Sequence, residues 1–139
     1  MKIYFAGSIR GGREHTKWYV DIAELLQGYG DILTLHVTDK SLSDKGESLP
    51  VEQIFNRDMQ WIKECDVLVA DVTIPSLGVG YEIARAEILN KPIVCLFHEN
   101  IDKSLSGIIQ GNKRITVKRY KTVEDITQII KEFFENINK

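Results

Sequence analysis

Short apolar, β-branched runs alternate along this chain with longer amphipathic ones, and that alternation limits the possible folds more than any other feature. Strands that alternate with helices are the signature of a parallel sheet with helices on its faces. Candidate strands lie at Lys2–Ala6, Asp31–His36, Val67–Val72, Pro92–Phe97 and Arg114–Arg119. The third and fourth are almost wholly apolar, as strands buried on both faces must be, and belong in the middle of the sheet. Helices are predicted over His15–Gln27, Val51–Glu64, Leu77–Asn90, Ser104–Gln110 and Val123–Asn136. In the last, Val123, Ile126, Ile129, Ile130, Phe133 and Phe134 recur at helical spacing while Lys and Glu take the opposite face, so that helix is scaffold. The stretch from Thr38 to Pro50 is polar and without periodicity: a lid over a site, or a plain connection.

A chain of 139 residues suits one domain, 1-139, with a real core. The expected architecture is a single-domain α/β Rossmann-like (flavodoxin-like) three-layer sandwich around a five-stranded parallel sheet. Eighteen Lys and Arg against 20 Asp and Glu give a net charge of -2, which disfavours binding to a nucleic acid polymer but leaves small phosphorylated ligands open. Cys65 and Cys95 fall in or beside apolar stretches with no CxxC pair and no His at ligand spacing, so no metal and no cofactor are expected. The strand-like start at Lys2 and the lack of a spanning apolar run lead to the expectation of a cytoplasmic protein without signal peptide or membrane contact.

Open parallel sheets bind ligands at the carboxyl ends of their strands, so the loops there hold the candidate chemistry. After the first strand, Gly7-Ser8-Ile9-Arg10-Gly11-Gly12-Arg13 supplies glycines for close approach and Ser8, Arg10 and backbone amides as donors to an anion. It is neither a Walker loop nor GxGxxG, so neither a triphosphate nor a dinucleotide is the natural ligand; a glycine-rich turn with solvated arginines is the plainer reading. After the third strand, Pro75-Ser76-Leu77-Gly78-Val79-Gly80-Tyr81-Glu82 runs into a helix start. Ser76 and the free amides there suit a phosphate, or Ser76 is only an N-cap. Glu82 is either a reactive carboxylate or a solvated one stabilised by the helix dipole. Asp58, on the helix before the third strand, either faces the same cleft and forms a carboxylate pair with Glu82 or lies on the surface. Tyr4 points its hydroxyl at the cleft or packs in the core, and His36 at the second strand's end is equally ambiguous. GxSxG, a Cys-His pairing and HExxH are absent, which leaves acid chemistry on a phosphate ester.

Taken together, these blocks resemble the 2'-deoxynucleoside 5'-phosphate N-hydrolases of the Rcl type, within the nucleoside 2-deoxyribosyltransferase superfamily. The resemblance spans nearly the whole chain. It is carried by Tyr4 to Glu14, by Leu33-Thr34-Leu35-His36-Val37, by Asp58 with Trp61, by Pro75 to Glu82, by Cys95-Leu96-Phe97 and by Leu105-Ser106. It implies hydrolysis of the N-glycosidic bond of 2'-deoxynucleoside 5'-monophosphates through a covalent glycosyl-enzyme on Glu82, with Tyr4 and Asp58 assisting at the sugar. It further implies that Ser8, Arg10, Ser76 and Ser106 bind the 5'-phosphate together with the amides of Ile9, Gly11 and Gly78, and that Gly7 and His36 border the sugar and base. The family is dimeric, so a homodimer is implied in which Ser106 reaches the partner's site. Two other readings stand beside it: a deoxyribosyltransferase that exchanges bases, and a non-catalytic nucleotide-binding module. The transferases carry an acid where this chain has Ser76, and a carboxylate would repel phosphate. His15 stands where an acidic residue is expected, and the Thr38 to Pro50 loop follows the family poorly.

Overall fold

The computed structural model describes residues 1–99 and 102–139. In chain order its elements are β1 (Lys2–Ala6), α1 (Thr16–Leu26), β2 (Asp31–Ile32), a 3-10 turn (Leu35–Thr38), α2 (Val51–Glu64), β3 (Val67–Asp71), α3 (Leu77–Ile88), β4 (Ile93–His98), α4 (Gly107–Gly111), β5 (Thr116–Tyr120) and α5 (Val123–Ile137). The strands form one parallel sheet in the order β2-β1-β3-β4-β5, the flavodoxin-like winding. The chain order reverses between β1 and β3, so a crevice opens above their carboxyl ends.

Period-2 alternation along the strands divides the core into two faces. Ile3, Phe5, Val67, Val69, Val94 and Leu96 pack with Tyr19, Ile22 and Leu26 of α1 and with Ile126, Ile130 and Phe134 of α5. Tyr4, Ala6, Leu68, Ala70 and Cys95 face the other way, onto Ile62 of α2 and onto Val79, Ile83 and Ala86 of α3. The register of β1 therefore sends Tyr4 to the side that carries α2 and α3. Every residue of β3 and β4 is buried, as their apolar composition requires.

Three sequence expectations need correction. The second strand is predicted to run to His36 but stops at Ile32, and His36 lies in the 3-10 turn. The reason is Thr34, whose Oγ1 accepts the Phe5 N–H at 2.9 Å and donates to the Phe5 carbonyl at 2.5 Å. A side chain thus occupies both groups that the next rung of the β1–β2 ladder would use, and the backbone peels away. The fourth helix is Gly107–Gly111 and not Ser104–Gln110, with Ser106 at its N-cap. The third helix ends at Ile88, before Asn90 at φ 56, a left-handed residue of the kind that closes helices.

His15 turns inward. Its Nε2 lies 2.7 Å from the Tyr120 hydroxyl, which donates at 2.6 Å to the Asp71 carboxylate at the end of β3. His15 thereby ties the start of α1 to the carboxyl ends of β3 and β5.

Candidate active site

A cavity of about 550 Å³ lies above the carboxyl ends of β1 and β3, between their loops and helices α2 and α3. Of the residues singled out from the sequence, Gly7, Ile9, Arg10, Gly11, Asp58, Ser76, Gly78 and Glu82 line it. Tyr4 and Ser8 stand directly behind its wall, buried at 2% and 0% exposure.

One end of the cavity is rich in hydrogen-bond donors. Among the described residues Ser8 Oγ is the one buried side-chain polar atom without a partner, and such an atom is costly unless a ligand completes it. The Ser8 N–H donates to the Tyr19 hydroxyl at 3.0 Å, which fixes the loop after β1 from beneath. Gly11 brings that loop against the one after β3. A Cβ at Gly11 would collide with the Pro75 carbonyl oxygen and stand 2.9 Å from Ser8 Oγ, so a larger residue would wedge the two loops apart. Ser76 caps α3 by accepting the Val79 N–H at 3.3 Å, which leaves its own O–H free to donate. The amide of Gly78, in the first turn of α3, has no intrahelical acceptor and points with the positive end of the helix dipole. Arg10 is exposed at the cavity, whereas Arg13 is occupied in structure: its guanidinium donates to the carbonyls of Ser8, Asp39 and Leu42, fastening the 38–50 loop to the loop after β1.

The other end holds the carboxyls. On α3, Val79, Ile83 and Ala86 form the sheet-facing stripe, and Glu82 falls within it at helical spacing. Burial, and secondarily the charge of Asp58, push the Glu82 carboxyl up to about 8, against smaller downward pulls from the Tyr4 hydroxyl, which hydrogen-bonds it, and from Arg57. Asp58 occupies the same kind of position on α2, four residues after Ile54 and four before Ile62. Its carboxyl is also raised by burial, against the hydrogen bond and charge of Arg57. The Tyr4 hydroxyl is held strongly protonated by burial and then by Glu82 and Asp58, so its O–H stays available to donate to a carboxylate.

Sequence reading missed Glu47 and Arg57. Arg57 donates to both oxygens of Glu47, at 2.6 and 2.8 Å, and lies 4.7 Å from the centre of the Trp61 ring. Glu47 and Gly46 line the cavity, so the loop from Thr38 to Pro50 forms one wall of the site. His36 lies behind that wall, 3.8 Å from Glu47, with its protonation disfavoured chiefly by burial. Ser106 is exposed and does not line this cavity. Among the described residues no group of three or more His, Cys, Asp or Glu is arranged to hold a metal ion, and no helix is long and apolar enough to cross a membrane.

Known proteins resemble this one over its full length. The chain is 48% identical over 143 residues to a 5-hydroxymethyl-dUMP N-hydrolase from Danio rerio, covering 100% of this chain and 99% of that protein. It is 40% identical over 132 residues to a putative 2'-deoxynucleoside 5'-phosphate N-hydrolase 1 from Syntrophotalea carbinolica, covering 95% and 93%. Its fold matches that of the Clostridium botulinum CMP N-glycosidase BcmB with a TM-score of 0.64 at 20% identity, over 94% of this chain and 99% of that one. Residues 3–127 match the nucleoside 2-deoxyribosyltransferase family model, and the chain belongs to that family.

Proposed function

We propose that this protein is an N-glycosidase that hydrolyses 2'-deoxynucleoside 5'-monophosphates to free base and 2-deoxyribose 5-phosphate. The observation that carries this reading is the polarity of the cavity: an anion cradle at one end and the Glu82–Asp58 pair at the other. Ser8, Arg10, Ser76 and the amides of Ile9, Gly11 and Gly78 take the 5'-phosphate, which aligns the anomeric carbon with the carboxyls. Gly7 lies under the sugar, and His36 supports the wall at the base through Glu47. The names of the relatives, two N-hydrolases acting on deoxynucleotides, support the same substrate class.

The reaction proceeds in two displacements. A Glu82 oxygen attacks the anomeric carbon while the C–N bond breaks and its electron pair leaves with the base, and Asp58 gives the base its proton. Water then attacks the glycosyl ester at the same carbon, Asp58 takes the water's proton, and Glu82 departs as carboxylate. At rest, burial favours the pair's proton on Glu82. Positive charge developing at the sugar reverses that preference: the proton passes to Asp58, which delivers it to the base, and the Tyr4 hydroxyl stabilises the Glu82 carboxylate that attacks. The two carboxyls titrate as a pair, so the pH profile of kcat/KM is a bell whose limbs belong to both.

A homodimer completes the site. Exposed apolar side chains at α2 (Val51, Phe55), at α3 (Leu77, Tyr81) and on α4 (Ile108) offer a surface to a second copy. Ser106, two residues before Ile108 and absent from its own cavity wall, would in this reading donate to the partner's phosphate. Sedimentation of the purified protein tests the assembly.

The activity test is incubation with each deoxynucleoside 5'-monophosphate, alone and with a second free base, and chromatography of the products, with Glu82→Ala as control. Free base and 2-deoxyribose 5-phosphate, lost in the variant and undiminished by added base, are expected. A new nucleotide carrying the added base would make the protein a transferase, and absence of any reaction would overturn the enzymatic reading.

A further inference from the structure

The contact between Arg57 and Asp58 is unusual for adjacent residues of a helix, since positions i and i+1 do not face each other. Two features bend the guanidinium back. Trp61, one turn on, provides a ring face 4.7 Å from it, and Glu47 from the 38–50 loop receives Nη1 at 2.6 Å and Nη2 at 2.8 Å. In that pose Nε donates to Asp58 Oδ1 at 2.9 Å, and Nη2 stands 2.8 Å from the same oxygen. The three side chains are only 22% (Arg57), 14% (Glu47) and 13% (Asp58) exposed, so the contacts are poorly screened by water.

We propose that Arg57 is a positioning residue for Asp58: by engaging Oδ1 it leaves Oδ2 as the oxygen that carries the proton to the leaving base, while Glu47, gripping the same guanidinium, sets how much of Arg57 Asp58 receives. The proposal rests on Asp58 acting as the acid. An oxygen facing two nitrogens that bear hydrogens cannot itself hold a proton without losing those contacts, so protonation is directed to Oδ2. The wall of the base pocket and the acid thus share one cation, and displacement of the 38–50 loop would change the acid's proton affinity.

The charged and titratable groups that face Asp58 are Arg57 on its own helix, His36 from the 3-10 turn, Glu47 from the loop, Glu82 from α3 and Tyr4 from β1. Among them Arg57 favours the ionised form of Asp58 and Glu47 opposes it. The two variants therefore move Asp58 in opposite directions. Arg57→Gln removes the cation and raises its titration; Glu47→Gln removes the competing anion, gives Asp58 more of Arg57, and lowers it.

The experiment follows the Asp58 side-chain carboxyl carbon by NMR across pH in the Glu82→Gln background, where the coupled partner cannot titrate. Opposite displacements are expected, with Arg57→Lys between Arg57→Gln and the unsubstituted residue; Arg57→Lys also serves in place of Arg57→Gln should the latter not fold. Displacements of the same sign, or none, overturn the proposal. A second readout uses the otherwise unaltered protein. Arg57→Gln should lower kcat about ten-fold on a deoxynucleotide whose base is a poor leaving group and about three-fold or less on one with an electron-withdrawing base, because less acid assistance is then needed. Equal losses on both would also overturn it. Failure of the unsubstituted protein to release base would refute the proposed activity instead, while the titration would still decide the role of Arg57.

Discussion

Replacing Glu82 by Gln should make the protein more stable above neutral pH while abolishing its activity. Burial raises this carboxyl from an ordinary 4.5 to about 8, so the folded state binds its proton more tightly than the unfolded chain does. The stability contributed by that tight proton is fully present below pH 4.5 and is lost as pH rises through 8. Gln does not titrate and keeps the acceptor that Tyr4 needs, so the difference between the two proteins opens with pH. At 1.36 kcal/mol per pH unit the full displacement corresponds to about 5 kcal/mol above pH 9. Solvent reaching the carboxyl through the open cavity reduces that to about 3 kcal/mol. For a domain of this size about 3 kcal/mol corresponds to roughly 8 °C in Tm. Calorimetric scans of both proteins from pH 4.5 to 9 check it. The curves should nearly coincide at the acid end and separate steadily from about pH 5 to 8, with the variant higher. A separation that does not depend on pH would show that Glu82 is ionised at no cost, and would refute its description as a buried, proton-holding carboxyl.

Other changes probe the remaining parts of the site and scaffold. Tyr4→Phe removes the hydroxyl that favours ionised Glu82, so the acid-side limb of the kcat/KM profile should move to higher pH and kcat should fall about ten-fold, read from initial rates across pH. Gly11→Ala should raise KM for deoxynucleoside monophosphates strongly while leaving the far-ultraviolet circular dichroism unchanged, because the added methyl separates the loops after β1 and β3 and opens the cradle. Ser76→Asp should weaken binding of inorganic phosphate and of the nucleotide far more than binding of the corresponding nucleoside, measured by calorimetric titration. Thr34→Val strands the Phe5 N–H and carbonyl, both buried, and should cost about 2 to 4 kcal/mol in urea unfolding.

The scaffold was legible because burial leaves period-specific traces. The apolar runs of β3 and β4 and the amphipathic stripe of α5 are each local patterns, and they lie where the sequence places them. The end of β2 was not legible, because Thr34 competes for Phe5, a residue 29 positions away, and no window around Thr34 reveals that. The carboxyls were partly legible. Glu82 falls in the stripe of Val79, Ile83 and Ala86, and Asp58 in that of Ile54 and Ile62; a charge within an apolar stripe is a signal that spacing alone could have raised. Glu47 and Arg57 carried no such mark, since a glutamate in a polar loop and an arginine on a helix are ordinary in any sequence.

Local patterning already carries the succession of strands and helices along the chain and the loops with the backbone freedom to enclose an anion. These depend on hydrophobic periodicity and glycine placement, which are local properties of the chain. Long-range packing settles the rest: which face of the sheet Tyr4 takes, which carboxyls come near each other, which arginine stays at the cavity and which is spent on carbonyls, and that the 38–50 loop is a wall of the site. Those outcomes depend on distances between residues far apart in sequence and on the loss of water around them. Arg10 and Arg13, and Glu47 and Glu82, are chemically alike until the fold gives each its neighbours.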